Sequence, residues 1–150
     1  KEHGQVKTKK REKQILTDAP GASNYFKGGL VAYSREMKEL FGVDGGTIER
    51  HGMISAQCAE AMAQAARASL GADVGVGITG VAGPEEMEGK KVGIVYISVA
   101  TPKATRTTES NYPPQRRDVK RWAVLGALTL LRRTVMQSPF GAEDRPGGKP

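Results

Sequence analysis

The sequence predicts an α/β domain, and three observations carry that expectation. Residues 74–78 and 92–100 are runs rich in β-branched and other apolar side chains, as strands require. Residues 55–70 and 115–137 carry apolar side chains at three- and four-residue steps, the period of a helix with one buried face. A length of 150 residues, 38% hydrophobic and 26% charged, is that of one ordinary folded unit.

Taken in chain order, residues 1–14 are polar and follow neither period, so they are expected to form a basic, poorly ordered tail. The folded domain is expected over 15–137. Gly28-Gly29 precede the apolar residues Leu30, Val31, Ala32 and Tyr33, which predict a short buried strand. Residues 35–41 have helical composition and stop at Gly42. Ser55 is a helix N-cap, Cys58, Met62, Ala66 and Leu70 fall on one face of the helix it starts, and Gly71 ends it. The strand at 74–78 runs into Thr79-Gly80-Val81-Ala82-Gly83-Pro84, a sharp strand-to-loop transition. Residues 92–100 predict a central strand with 105–110 as its hairpin neighbour across Thr101-Pro102-Lys103. The last helix places Val119, Trp122, Ala123, Leu125, Leu128, Leu131 and Val135 on its apolar side. Residues 138–150 contain three prolines and three glycines and predict a second poorly ordered end.

Composition narrows the function. Aromatics are 5% of the chain, so small aliphatic side chains must fill the interior. The single Cys58 rules out an internal disulfide, and with only His3 and His51 as imidazoles no structural metal centre is expected. No run reaches the ~18 apolar residues of a membrane span, and no signal peptide is visible, which predicts a cytoplasmic protein without a membrane partner. The net charge of +7 raises nucleic acid as a partner, but much of it lies in Lys1, Lys7, Lys9, Lys10, Arg11 and Lys13, a tract of the solvated-tail kind. There is no RNP, zinc-finger or helix-turn-helix signature, so nucleic acid is not the expected partner.

Four short pieces are candidates for chemistry, each with a plain alternative. Tyr33 and Lys38 stand five residues apart across a predicted strand-to-helix junction, where a phenol and an amine can share a pocket. An amine held in a dry cleft can serve as base toward a hydroxyl nucleophile, yet Lys38 also suits a surface helix beside Arg35, Glu36 and Glu39. Thr79, Gly80 and Gly83 offer a hydroxyl and freely turning N–H groups to an oxyanion or phosphate, and equally make a plain turn. Arg116 and Arg117 near the last helix's start can hold an anion or be a solvated pair. Ser23, in Pro20-Gly21-Ala22-Ser23, can act as a hydroxyl or cap local backbone.

Their order is more specific than any one of them. The stretch Leu16-Thr17-Asp18-Ala19-Pro20-Gly21-Ala22-Ser23 is followed by Phe26-Lys27-Gly28-Gly29-Leu30-Val31-Ala32-Tyr33-Ser34 with Lys38, then His51-Gly52-Met53-Ile54-Ser55. Thr79-Gly80-Val81-Ala82-Gly83-Pro84 and Val92-Gly93-Ile94-Val95-Tyr96-Ile97 complete the series. The chain resembles the CinA C-terminal domain family in these motifs across about residues 15–130. That resemblance implies a three-layer α/β/α domain with a mixed sheet, and deamidation of nicotinamide mononucleotide by a serine–lysine pair without cofactor or metal. By the same resemblance Lys38 is the base, Tyr33 stands beside it and Ser23 lines the pocket. Thr79, Gly80, Gly83 and Arg116 take the oxyanion or phosphate. The family's Glu-Ser-Cys-Thr-Gly-Gly motif would fall near Val6, Lys9 and Lys10 and is absent, so its first strand and helix are expected to be missing or altered. An uncovered sheet edge would follow, and with it a homo-oligomer. A catalytically inactive nucleotide-binding domain is the alternative expectation.

Overall fold

The computed structural model describes residues 18–137. The expectations for residues 1–14 and 138–150 lie outside them. Chain order is a 3-10 turn at Ala22–Asn24, then helices α1 (Arg35–Leu40), α2 (Gly45–His51) and α3 (Ala56–Leu70). Strands β1 (Gly75–Gly80), β2 (Ile94–Ala100) and β3 (Thr105–Asn111) follow, then helix α4 (Arg116–Gln137).

Local chemistry explains the helix ends. Ser55 accepts the Cys58 N–H to start α3, and Gly71 closes it in the left-handed conformation at φ 57°. Ser34 caps α1 through the Met37 N–H, and Asp44 caps α2 through Thr47 N–H. The sequence reading did not include α2, a one-sided turn of helix whose Ile48 is its buried residue.

Strand order is β1-β2-β3 and both pairs are antiparallel, with Ile78 opposite Ile97 and Ile97 opposite Thr108. The described sheet is therefore antiparallel throughout, and the mixed pairing implied by the resemblance is not found among these strands. Alternate residues of β1 separate the layers. A Cβ added at Gly75 or Gly77 would stand 2.1 Å from Ala63 O or 2.2 Å from Ala59 O, so these glycines let α3 lie directly on one face. Val76 and Ile78 point the other way, into a core of Val95, Ile97, Val119, Ala123 and Ala127 shared with α4. Helix, sheet and helix make three layers.

Two expectations are corrected. Residues 30–33 form no strand, and Val31 and Tyr33 are 43% and 67% exposed. An apolar run becomes a strand only when a neighbour takes its backbone groups, and none of the described strands does. The last helix is also rotated from its expected face. Trp122, Leu125 and Val135 are exposed, whereas Val119, Ala123, Val124 and Ala127 are buried. Small residues face the sheet because the helix comes close to it: a Cβ at Gly126 would meet Ile97 Cδ1 at 3.0 Å.

Candidate functional site

The Lys38 side chain is the clearest departure from surface behaviour. Around it Arg35, Glu36 and Glu39 are exposed, and Arg35 bridges Glu39 at 2.8 Å and Glu49 at 3.1 Å, fastening α1 to α2. Three residues on from Arg35, Lys38 faces inward and is 6% exposed. Burying an ammonium is costly unless its protons find acceptors, and Nζ donates to Ala32 O at 2.7 Å. The lysine lines a cavity of about 770 Å³. That cavity runs along the outer edge of β1, unpaired among the described residues, between Met62 and Leu70 of α3 and Leu128 and Leu131 of α4. Its walls are mainly apolar, with Lys27, Lys38 and Asp73 as charged exceptions.

Tyr33 and Ser23 stand outside that wall. The lining includes Asn24 to one side and Ala32 to the other, but neither Ser23 nor Tyr33, and both are exposed. Thr79 ends up at the far end of β1, 7% exposed, with Oγ1 donating to Met53 O at 2.7 Å. A hydroxyl has one proton, so in this state Thr79 presents only lone pairs to any other group. Gly80 is closed in by β2, since a Cβ there would be 2.6 Å from Ile94 O. Gly83 takes φ 85°, and its carbonyl accepts from the Arg116 guanidinium. The structure thus joins Thr79, Gly80, Gly83 and Arg116 at one end of the sheet and places Lys38 in the cavity along its edge.

Three further groups, none of them a sequence candidate for the site, belong to this region. Glu88 accepts from Met53 N–H and Ile54 N–H, both at 2.9 Å. Ser55 Oγ donates to Gly52 O at 3.0 Å while capping α3. Cys58 is fully buried in the first turn of α3. Burial pushes its thiol pKa up from the ordinary value, the Lys38 charge opposes that rise and the Glu88 charge adds to it. Amine and carboxylate thus both act on the thiol. Nothing local in the Glu85-Glu86-Met87-Glu88 run indicates that its last carboxylate reaches backbone 34 and 35 residues upstream. No cluster of metal-ligating side chains occurs among the described residues, nor any helix long and apolar enough to cross a membrane.

Comparison with known proteins adds lineage to this geometry. The sequence model of the CinA C-terminal domain matches residues 12–135. A CinA-like protein of Frankia casuarinae is 43% identical over 125 residues, 83% of this chain and 29% of its own length. One of Acidobacterium capsulatum is 42% identical over 123 residues, 81% of this chain and 30% of its own. The chain therefore spans less than a third of either relative. Among solved structures, competence damage-inducible protein A of Klebsiella pneumoniae superimposes with TM-score 0.81 at 26% identity, covering 87% of this chain and 82% of that one. A CinA superfamily protein of Enterobacter cloacae gives 0.80 at 29% identity over 85% and 77%.

Proposed function

Because the chain belongs to the CinA C-terminal domain family, we propose that it is an amidohydrolase-type domain acting on nicotinamide mononucleotide, converting carboxamide to carboxylate with release of ammonia. One observation carries the reading: a lysine 6% exposed, in the wall of a cavity large enough for a nucleotide. Amide hydrolysis needs a group that takes a proton from the nucleophile and returns it to departing ammonia, and a buried amine is suited to both transfers. Ser23 is the hydroxyl assigned to that amine; it sits in the turn Ala22–Asn24, one residue before the cavity wall begins. Arg116, beside Gly83 and the loop that follows, is assigned to the substrate phosphate. This chemistry calls for no metal or cofactor.

Ammonia release from nicotinamide mononucleotide by wild type, Lys38→Ala and Ser23→Ala tests the reading, with calorimetric binding measured in parallel. Turnover by wild type that both substitutions abolish is the expected result; full activity in Ser23→Ala removes Ser23 as nucleophile. A second reading, a nucleotide-binding domain without turnover, is favoured by the exposure of Ser23 and Tyr33 and by the Thr79 proton already given to Met53. Binding by wild type without ammonia selects it. Self-association is proposed as well, from the outer edge of β1, unpaired among the described residues, and the apolar cavity beside it. Light scattering from a clean monomer contradicts that part.

A further inference from the structure

We propose that loop 84–91 is a latch over the approach to α3, with Glu88 as its catch: the carboxylate holds shut two backbone donors that an anionic oxygen of a ligand takes when the loop opens. Three independent features support a built contact. Both Glu88 oxygens are used, Oε1 by Met53 N–H and Oε2 by Ile54 N–H, each at 2.9 Å. Residue 52 is glycine, where an added Cβ would stand 2.4 Å from Glu88 Oε2, so the carboxylate reaches its donors only over a residue without a side chain. Glu88 holds φ 52°, the only positive φ at a non-glycine residue in the described chain, a conformation that side chains adopt at some cost.

The loop is arranged to move as one piece. Residues 84–89 are exposed, so opening uncovers little. Its tip is a closed turn in which Met87 and Lys90 exchange backbone hydrogen bonds of 3.2 and 2.9 Å. Gly83 at φ 85° and Gly93 at φ 104° flank it, and Arg116 fastens the Gly83 carbonyl at its root. Opening also reaches Thr79, because Met53, gripped at its N–H by Glu88, is gripped at its carbonyl by the Thr79 hydroxyl. The ligand class is a carboxylate or phosphate oxygen, and neither donor is a side chain that could select one by charge. The proposal stands whether or not the domain hydrolyses amides.

The test is an NMR titration of wild type and Glu88→Ala with acetate and, separately, inorganic phosphate, reading the Met53 and Ile54 amide signals. The latch predicts saturable shifts in Glu88→Ala with affinity at least ~10-fold above wild type for one of the anions, since the competing carboxylate is gone. Acetate or phosphate arms that respond alone identify which oxygen the donors prefer. Unmoved Met53 and Ile54 signals in a folded Glu88→Ala overturn the proposal. Amide exchange on wild type provides a second check that needs no variant. Met53 and Ile54 exchanging together with Met87 and faster than the α3 amides supports a local opening; exchange only in step with α3 overturns it.

Discussion

The two ends of the β1 edge differ in how their polar groups are spent. Around Thr79 nearly every donor is committed: its hydroxyl to Met53, the Met53 and Ile54 N–H groups to Glu88, the Arg116 guanidinium to Gly83. Around Lys38 the cavity wall is mainly apolar, with Lys27 and Asp73 as its other charged groups, and the buried amine donates to Ala32 O. In the proposed reading the first end is where an anion binds and the second is where a buried amine carries a proton. Chemistry and anion recognition are therefore assigned to different places, and substitutions at each should separate.

The largest expected separation is kinetic. Lys38→Met keeps the side chain's length and removes the proton carrier, so ammonia release should fall ~10²–10⁴-fold with nucleotide affinity retained. Arg116→Met should do the reverse, weakening binding about tenfold with turnover of bound substrate unchanged. Steady-state kinetics beside calorimetry checks both, and equal loss of affinity in the two variants breaks the division.

Stability should divide along the same line. Gly77→Ala drives a methyl to 2.2 Å from Ala59 O and 2.7 Å from Ala63 N, backbone that cannot step aside, and should cost ~3 kcal/mol or more in urea unfolding. Ile97, fully buried under α4, should lose ~2–5 kcal/mol as Ile97→Ala. Leu131, half-buried on the cavity wall, should lose only about 1 kcal/mol as Leu131→Ala, because open space already lies beside it. Equal losses at Ile97 and Leu131 would mean the cavity is filled in solution.

Much of the fold was legible because its signals are local. The Ser55 cap and Gly71 stop bound α3 at its two ends, and the β-branched content of β2 with the Thr101-Pro102-Lys103 turn before β3 gives the hairpin. Residues 30–33 misled because strand formation depends on a distant partner. The face of α4 misled because its larger apolar residues, Trp122 and Leu125, are excluded by close approach to the sheet, a distance no periodicity encodes. Of the candidate site, residue types pointed to Lys38 and to the Thr79 loop, but not to which of them would be buried or already hydrogen-bonded. The contact of Glu88 with Met53 and Ile54 was not legible for the same non-local reason.

The smallest expected effect is alkaline. Burial raises the Cys58 pKa above its ordinary 9.0, so the folded state holds that proton more tightly than the unfolded chain. Its contribution is complete below pH 9.0 and is lost as pH rises through the folded value. Urea midpoints of wild type and Cys58→Ala should therefore keep a constant gap below pH 9.0 and change it above, the wild type losing more. The same burial predicts that iodoacetamide leaves native Cys58 unmodified at neutral pH and labels it on unfolding.

The most direct measurement places a reporter on the amine itself. Lysine side chains labelled with ¹⁵N should show one signal, assigned through Lys38→Met, that shifts saturably as nicotinamide mononucleotide is added, while that of exposed Lys103 stays still. Nucleotide binding that leaves the Lys38 signal unmoved would contradict the assignment of this cavity as the place where the ligand meets its reactive group.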